Sequence, residues 1–375
     1  MSIKVTKSGY WFVQLPDWEE VKQKKKKAVS HAKFESDRTS GEIACIMTAK
    51  TPIHVGAGFF ELGKDAGYAK FDGVVKAIIK EDGFPIIPGS SLKGAFRSIS
   101  EAISYSCTLG KTKGYGFPSC EAKDEKSKIC IACSIYGAMG FMGRVSFSQA
   151  TLIKKEDYQK PEQPMKLIAL NPPNDRKAQR GRKFYPPIDY FSPSFWENDS
   201  PDKYYISIKK ARRPKYGPLV VDDRYTDLDS FKKGKAVEPY DFIPVGTQLK
   251  FKVKFENLKP EEIGLVLAGM GINEENQPLF FPRLGGAKPL RFGVIQVQVE
   301  NFKLDSEQSD FTDFDSHELE IRETVQEWMK RNIQAMKASD LFFEKGLEQI
   351  TNILKYPAEK PEVVDWPKVF DEFNK

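Results

Sequence analysis

The stretch that decides the fold is "IIPGSSLKGAFRSI", residues 86–99. Its Pro-Gly pair follows two isoleucines and predicts a turn where a strand ends. After that turn, Ser90 or Ser91 is expected to cap a helix that runs over about residues 91–106. The stretch therefore predicts a strand–turn–helix unit.

The start of this helix is a candidate anion site. The free N–H groups of a first helical turn point outward, and the helix dipole favours negative charge there. Lys93 and Arg97 lie four residues apart and are expected to share one face of the helix. On local chemistry alone, a strand–turn–helix with two solvated cations is the simpler interpretation.

Periodicity on either side of this unit predicts a chain of mixed strands and helices. The predicted strands lie within residues 41–58, 69–79, 84–88, 143–153, 247–258 and 280–300, and the further helices within 259–272, 319–336 and 340–355. This order, with a Gly-rich loop before the last strand of the core, is typical of a ferredoxin-like, RRM-type α+β fold with insertions.

Composition indicates a soluble globular protein. The chain has 375 residues, 40% of them hydrophobic, which is enough for a sizeable core and for two or three domains. No apolar run approaches the roughly 18 residues of a membrane span, and the N-terminus shows no signal-peptide pattern. We therefore expect a cytoplasmic protein that makes no membrane contact.

The net charge of +6 is unevenly distributed along the chain. Residues 301–375 carry −7, so the remaining 300 residues carry +13. A basic body beside an acidic tail indicates that the body meets a polyanion. The presence of only three histidines argues against a histidine-rich catalytic site.

Four cysteines fall close together, at Cys107, Cys120, Cys130 and Cys133. Disulfides are unexpected in the cytoplasm, and four thiolates that end in a CxxC pair suit a tetrahedral zinc ion. The alternative is four scattered reduced thiols. A four-cysteine site would be structural, because no open coordination position remains for catalysis. Cys45 alternates with apolar residues and is expected in a core strand.

Cations stand beside aromatic residues in two clusters of the Pro-rich region 154–240. These are "RKAQRGRKFYPP" (176–187) and "KYYISIKKARRPKYG" (203–217). Such clusters neutralise the phosphates and stack the bases of single-stranded nucleic acid. The alternative is a surface insertion that is basic by chance. The candidate RNA-binding residues here are Arg180, Arg182, Lys183, Arg212 and Arg213.

A second Gly-rich segment, "FFPRLGGAKPLRFGVIQVQVE" (280–300), predicts a cationic loop before a strand. Its glycines let a phosphate approach the backbone closely, and Arg283, Lys288 and Arg291 supply positive charge. The run Lys22–Lys27, by contrast, is typical of a solvated, flexible arm.

Four strings, in this order, resemble the RAMP superfamily of CRISPR-associated proteins. They are "TPIHVGAG", "GFPIIPGSSLKGAFR", "CIACSIYGAMGFMGRVSFSQA" and "RLGGAKPLRFGVIQV", and the resemblance covers about residues 41–300. Within the superfamily, the chain is similar to the backbone subunits of type III effector complexes, which are ribonucleoproteins of antiviral defence. The 154–240 insertion and the acidic tail match no standard pattern, which indicates a divergent member.

The resemblance implies an RRM-like palm at 41–300 that binds guide RNA, target RNA and other effector subunits. A zinc-binding insertion at 107–133 and a thumb-like basic insertion at 154–240 interrupt the palm. An extension (1–40) precedes it, and an acidic helical region (301–375) follows, for packing or subunit contact. The implied RNA-binding residues outside the thumb are His54, Ser90, Ser91, Lys93, Arg97, Arg283, Gly285, Gly286, Lys288 and Arg291; His54 is expected to shape its loop or touch RNA.

Type III backbone subunits cut target RNA, and the family pattern places an aspartate between the "HVG" and "IPGSS" strings. Asp72 lies at nearly the family's distance and is preferred, with Asp65 as the second choice. The resemblance implies that a splayed target strand holds a 2′-OH in line with its own phosphate, while the aspartate positions the hydroxyl or takes its proton. The involvement of a divalent metal ion stays open.

Other functions remain open from the sequence. One alternative is that the loop has lost its activity. Asp72 is then a solvated turn residue beside Gly73, and the chain is a structural RNA-binding subunit of the same complex. A guide-processing endoribonuclease of the same superfamily would cut a repeat hairpin alone, and the scarcity of histidine argues against it. A zinc enzyme unrelated to RNA would need an open metal position, which four cysteines do not offer.

Overall fold

A computed structural model describes most of the chain. The described residues are 4–6, 11–107, 120–123, 126–168, 181–184, 237–288, 292–305, 323–356 and 362–364. Their helices are α1 (Trp18–Gln23), α2 (Gly89–Ala102), α3 (Ile131–Tyr136), α4 (Pro260–Gly269), α5 (Val325–Ala338) and α6 (Glu344–Ile353).

The strands of the described residues divide between two larger sheets and several short ladders. They are β1 (Lys4–Thr6), β2 (Trp11–Gln14), β3 (Lys26–Lys27), β4 (Thr39–Ala49), β5 (Gly56–Leu62), β6 (Val74–Ile78), β7 (Lys80–Glu81), β8 (Phe84–Pro85), β9 (Lys128–Ile129), β10 (Val145–Phe147), β11 (Thr151–Leu152), β12 (Met165–Ile168), β13 (Gly181–Phe184), β14 (Val237–Tyr240), β15 (Gln248–Leu258), β16 (Ile295–Leu304) and β17 (Glu362–Val364).

The larger sheet has the strand order β10-β15-β4-β16, and β11 also pairs with β15. All of its neighbouring strands are antiparallel. The chain passes from β4 through α2 to β10 and β11, and later from β15 through α4 to β16. The predicted mixed α+β class is confirmed.

One face of this sheet carries the main core. Alternate residues of β4 and β15 are buried, as the period of two along a strand requires. Helix α2 covers this face, where the rings of Phe96 and Phe251 are 6.2 Å apart. Cys45 is buried in β4, as predicted. The three lysines of β15 that alternate with its core residues are exposed on the other face.

The predicted serine cap of α2 is wrong. The N-cap residue is Pro88, in an extended conformation, and no side chain caps the helix. The backbone N–H of Ser91 donates to the carbonyl of Pro88 at 2.9 Å. Gly89 lies so close to β10 that a Cβ there would stand 1.9 Å from the carbonyl oxygen of Phe147. Backbone packing, rather than a serine hydroxyl, therefore determines where α2 begins.

The second sheet has the strand order β12-β14-β6-β5. Strand β14 pairs in parallel with β6. The strand predicted at 69–79 begins only at Val74, because residues 63–73 form a closed loop. The N–H of Gly63 donates to the carbonyl of Gly73 at 2.8 Å and fastens the two ends of that loop.

The described N-terminal residues are part of the folded core. Strand β2 pairs with β13, and its Trp11, Phe12 and Val13 are buried in the main core. Lys26–Lys27 pair with β9. The flexible arm predicted at Lys22–Lys27 is therefore wrong, because helix α1 and this short ladder anchor the run.

The C-terminal helices pack on the rest of the chain. Trp328 of α5 is buried and stacks on Phe302 of β16, with ring centroids 4.4 Å apart. Ile350 and Ile353 of α6 belong to the main core. Across the described ranges, every helix is too short or too polar to traverse a bilayer.

Candidate functional site

Helix α2 and the Gly-rich loop meet at one cleft of about 410 Å³, although they are far apart in the sequence. The end of β13 and the chain beyond α6 complete its walls. The cleft is lined by Ser91, Gly94, Ala95, Ser98, Ile99, Phe184, Arg283, Leu284, Gly285, Lys288 and Leu354. These described lining residues include two cations and no acidic side chain, so the cleft suits an anion.

The Gly-rich loop lies directly against His54. The N–H of Gly286 donates to the carbonyl of His54 at 2.8 Å. Gly285 has a φ of +76°, and a Cβ there would stand 2.2 Å from the same carbonyl oxygen. Only glycine combines this conformation with such a close approach, so the loop can turn over His54.

Arg283 and Lys288 stabilise the loop and add positive charge to the cleft. The guanidinium of Arg283 donates to the carbonyls of Lys288 and Phe292, at 2.7 Å and 2.6 Å. Nζ of Lys288 donates to the carbonyl of Gly285. Burial, together with the charge of Arg283, lowers the pKa of Lys288 from 10.5 to about 8. An anion in the cleft would favour the charged amine.

Both cations of α2 are hydrogen-bonded within the protein, with Lys93 half-buried and Arg97 buried, which corrects the interpretation of this helix as one that carries two solvated cations. Nζ of Lys93 donates to the carbonyl of Val145 at 2.8 Å, and burial lowers the pKa of Lys93. Arg97 is only 9% exposed, and its Nε donates to the carboxylate of Glu101 at 2.7 Å. The cleft side of α2 therefore consists of uncharged residues, which are Ile99 and four small ones, Ser91, Gly94, Ala95 and Ser98.

His54 connects the Gly-rich loop to the interior. Its Nδ1 lies 2.8 Å from the carbonyl oxygen of Asp241, and because a carbonyl only accepts, Nδ1 carries the proton. Burial lowers the pKa of His54, which favours the neutral ring with an unprotonated Nε2. His54 is 6% exposed, so it supports the loop from beneath.

Asp241 lies in the middle of a group of four side chains that we call the carboxylate centre: Asp241 and Tyr68, which are fully buried, and Lys80 and Lys160, which are half-buried. The hydroxyl of Tyr68 donates to Oδ1 of Asp241 at 2.7 Å. Nζ of Lys80 and of Lys160 lie 3.0 Å and 3.3 Å from Oδ2. Burial disfavours both ammonium groups. At Lys80, the bonds and charges of Asp241 and of Glu61, 3.2 Å away, outweigh burial and raise the pKa. At Lys160, burial prevails and lowers the pKa.

The loop at residues 63–73 holds both candidate catalytic aspartates at the surface. Its middle is fixed because the carbonyl of Ala66 accepts hydrogen bonds from both lysines of the carboxylate centre. Asp65 is exposed, and the side chain of Asp72 is 87% exposed. Nζ of Lys64 lies 3.1 Å from Oδ1 of Asp72. A carboxylate and an ammonium group therefore stand side by side at the surface of an anchored loop.

Sequence patterns did not reveal the carboxylate centre. Its members come from four separate segments, which only the tertiary structure brings together. One signal was present: Asp241 directly precedes Phe242 and Ile243, and an acidic residue within an apolar run is rarely buried without partners.

The four predicted cysteines form a buried cluster whose Sγ atoms all lie within 4.8 Å of one another. A tetrahedral zinc ion with bonds of about 2.3 Å separates its sulfurs by roughly 3.8 Å. The Sγ of Cys107 lies 3.4 Å from that of Cys133 and 3.6 Å from that of Cys130. The N–H of Cys130 donates to the sulfur of Cys120 at 3.3 Å, as suits a thiolate. The donor set could therefore hold a metal ion.

Arg97 joins this cluster to α2. Its Nη2 lies 3.4 Å from Sγ of Cys133, and its Nη1 donates to the carbonyl of Gly137 at 2.8 Å. Gly137 is the residue at which α3 ends. The guanidinium therefore faces the cysteines, on the side of α2 away from the small residues of the cleft.

The structure describes only some of the other predicted RNA-binding residues. Arg180, Arg212, Arg213 and Arg291 lie outside the described residues. Arg182 and Lys183 belong to β13, and the next residue, Phe184, lines the cleft. Ser90 is exposed in the first turn of α2. The cleft therefore brings together three sequence motifs: the turn–helix, the Gly-rich loop and the basic string before Phe184.

Comparison with known proteins identifies the family. A search of curated proteins finds no match. Among solved structures, the chain is similar to one described as "Cryo-EM structure of the Type III-B Cmr-beta bound to cognate target RNA", with 13% sequence identity and a TM-score of 0.33. That match covers 71% of this chain and 61% of that chain. The family model of the RAMP superfamily matches residues 46–296, well over half of the chain. The chain therefore belongs to the RAMP superfamily.

Proposed function

We propose that the chain is the guide-RNA-binding backbone subunit of a type III CRISPR effector complex and that it cuts complementary target RNA. The observation that carries the proposal is the cleft between α2 and the Gly-rich loop. Two motifs that resemble those of type III backbone subunits line it, and its described walls hold Arg283 and Lys288 with no acidic residue.

The chemistry of the cleft supports RNA as the anion. Phosphates take charge from cations and hydrogen bonds from backbone and hydroxyl groups. Ser91 and Ser98 supply hydroxyls along one wall. Phe184, which follows Arg182 and Lys183 in β13, is buried in the wall of the cleft and therefore shapes the cleft rather than stacking on a base.

The strand order of the larger sheet supports an RRM-like palm at 41–300. The chain forms two successive β–α–β units, and their strands lie in the order β10-β15-β4-β16. This order agrees with the ferredoxin-like fold. In this proposal, residues 154–240 form the thumb and residues 107–133 a zinc-stapled insertion. The extension 1–40 and the acidic region 301–375 complete the chain.

Cleavage is assigned to Asp72, with Asp65 as the second choice. When the target strand is splayed, its 2′-oxygen attacks the adjacent phosphorus, the proton of that hydroxyl passes to the carboxylate, and the P–O5′ bond breaks. The 5′-oxygen takes a proton from solvent. Lys64, 3.1 Å from Asp72, can stabilise the charge that develops on the phosphate.

The cysteine cluster is assigned to a structural zinc ion, because four sulfurs at tetrahedral spacing leave no open position for catalysis. The partners in this proposal are guide RNA, target RNA and other effector subunits, in a cytoplasmic ribonucleoprotein of antiviral defence. A divalent ion at Asp72 is not required by the reaction as written.

The test is cleavage of a labelled complementary RNA by the reconstituted complex, with Asp72→Ala in place of the wild-type chain. We expect intact assembly and the loss of one or more cuts. Asp157→Ala is the matched control, because Asp157 is also an exposed aspartate paired with a lysine, Lys154 at 3.7 Å.

Three results would change the assignment. If every cut persists in Asp72→Ala but is lost in Asp65→Ala, Asp65 carries the reaction. If both variants cut normally, the chain is a structural RNA-binding subunit. Cleavage of a repeat hairpin by the chain alone would instead indicate a guide-processing enzyme.

A further inference from the structure

We propose that Arg97 couples the metal centre to the RNA-binding cleft, so that the occupied metal site tightens RNA binding and bound RNA tightens metal binding. This inference rests on the proposed RNA-binding function and on the proposed metal ion. It changes the role expected for Arg97, from a group that touches RNA to a positioning residue that acts through α2.

The first step is the geometry of the guanidinium. Arg97 donates to the sulfur of Cys133 at 3.4 Å, to the carbonyl of Gly137 at 2.8 Å and to the carboxylate of Glu101 at 2.7 Å. One planar group thus joins a metal-binding sulfur, the end of α3 and the next turn of α2. A lysine could not make these three bonds, because it lacks the rigid fork of donors.

The second step is charge. Four thiolates around a divalent cation carry a net charge of about −2, and Glu101, which is fully buried, lies beside them. A cation next to the sulfurs offsets this negative charge in the interior. Arg97 meets that requirement, since its side chain is 11% exposed and bonded to both anionic groups.

The third step is the position of the cleft. Ser91, Gly94 and Ser98 line it from α2, whereas Arg97 on the same helix faces the cysteines. A helix moves as a unit over such a short length, so a shift of Arg97 shifts the wall of the cleft. Linkage then requires the effect to be reciprocal: whatever factor the metal adds to RNA affinity, RNA adds to metal affinity.

The experiment measures RNA affinity of the full chain, zinc-loaded and chelator-stripped, with a fluorescent single-stranded RNA. In the wild type we expect loading with Zn²⁺ to tighten RNA binding by about fivefold or more. In Arg97→Met the ratio should fall to about one, and zinc affinity without RNA should fall by about 10–100-fold, as for other lost partners of metal ligands. Arg97→Lys should lie between the two.

Lys93→Met is the matched control. It removes a cation from the same helix, but Lys93 contacts the carbonyl of Val145 rather than a cysteine. The zinc affinity of this variant and its zinc-dependent ratio of RNA affinities should stay those of the wild type. Substitution with Co²⁺ adds a spectroscopic readout: the sulfur-to-cobalt band should move to lower energy in Arg97→Met, because the hydrogen bond to Cys133 is lost, and should not move in Lys93→Met.

The outcomes separate this inference from the proposed function. A wild-type ratio of one, or the same ratio in Arg97→Met as in the wild type, overturns the coupling. Weaker RNA binding in Arg97→Met with unchanged zinc affinity and an unchanged cobalt spectrum also overturns it, and indicates direct RNA contact. A wild-type chain that binds no Zn²⁺ refutes the metal assignment and the coupling together. A chain that binds Zn²⁺ but no RNA refutes the proposed function.

Discussion

The hydroxyl of Tyr68 donates to the buried carboxylate of Asp241 over 2.7 Å, and this bond attaches the loop at 63–73 to the interior. Burial and the charge of Asp241 raise the pKa of Tyr68, so the phenol keeps its proton and remains the donor. The exposed Asp65 and Asp72 therefore stand on a loop whose middle is fixed.

Tyr68→Phe should slow target cleavage while leaving RNA binding intact. It removes one donor from a buried carboxylate, which costs about 1–3 kcal/mol of unfolding free energy, and it loosens the aspartate loop. Cleavage by the reconstituted complex should slow by about tenfold or more, since small misplacements of a reacting group are costly.

Tyr158→Phe is the control for this variant, because the Tyr158 hydroxyl makes no hydrogen bond to the described residues. It should cut normally. Equal cleavage by the wild type and Tyr68→Phe would show that the position of the loop does not matter to the reaction.

Gly285→Ala should abolish the cleft. The left-handed backbone of Gly285 costs any other residue about 1–3 kcal/mol, and the new Cβ would stand 2.2 Å from the carbonyl oxygen of His54. The expected result is a lower midpoint of chemical denaturation and RNA affinity reduced by at least tenfold.

Gly94→Ala provides the contrast within the same cleft. A Cβ at Gly94 meets nothing within 4 Å, and alanine is favoured over glycine inside a helix by about 0.8–1.0 kcal/mol. This variant should unfold at a higher denaturant concentration than the wild type. A destabilised Gly94→Ala, or a fully stable Gly285→Ala, would contradict the described course of these two backbones.

Lys288 should make RNA affinity and stability respond to pH in opposite directions. Its pKa is about 8 in the free protein and 10.5 ordinarily. Between these values the unfolded chain binds more protons, so the contribution of Lys288 to the free energy of unfolding rises with pH. RNA favours the charged amine, so RNA affinity should fall over the same window, by up to about tenfold per pH unit.

Lys288→Met tests the assignment of both trends. RNA affinity is measured by fluorescence anisotropy and the free energy of unfolding by denaturant titration, both from pH 7 to pH 10. Both quantities should depend less on pH in Lys288→Met than in the wild type. An unchanged slope in Lys288→Met would mean that another group titrates.

Removal of the proposed zinc ion should destabilise the region around the cysteines. A structural ion contributes its binding free energy to folding, so a chelator should lower the melting temperature of the wild type, and Cys120→Ser should lose the ion. Cys45→Ala is the control, because Cys45 is buried in β4 apart from the cluster. Elemental analysis should find one ion per chain in the wild type and in Cys45→Ala.

The sequence predicts those features that depend on local patterns. Strict alternation predicts β15 almost to the residue, because one face of that strand is buried and the other is exposed. The cysteine spacing predicts the cluster, because the four residues are close together in the sequence and a metal ion can hold four sulfurs at such distances. Helix α2 is predicted near its observed position for the same reason: its apolar stripe is local.

Features that depend on partners from distant segments are not predicted. The spacing from Lys93 predicts an outward cation at Arg97, whereas its guanidinium is bonded to Cys133 and Gly137, which come from a separate segment, as well as to Glu101 one turn later. The cap at Ser90 or Ser91 failed because β10 crosses too close to Gly89 for any side chain. Asp241 carried no periodic signal, and its partners reach it only in three dimensions.

The carboxylate centre also limits the order in which substitutions can accumulate. Lys80 and Lys160 share the buried carboxylate of Asp241, and of these two lysines Lys80 also pairs with Glu61. Replacing Asp241 first would therefore leave Lys160 half-buried beside another ammonium group and without its carboxylate. A lineage that loses this aspartate is expected to lose Lys160 beforehand or with it.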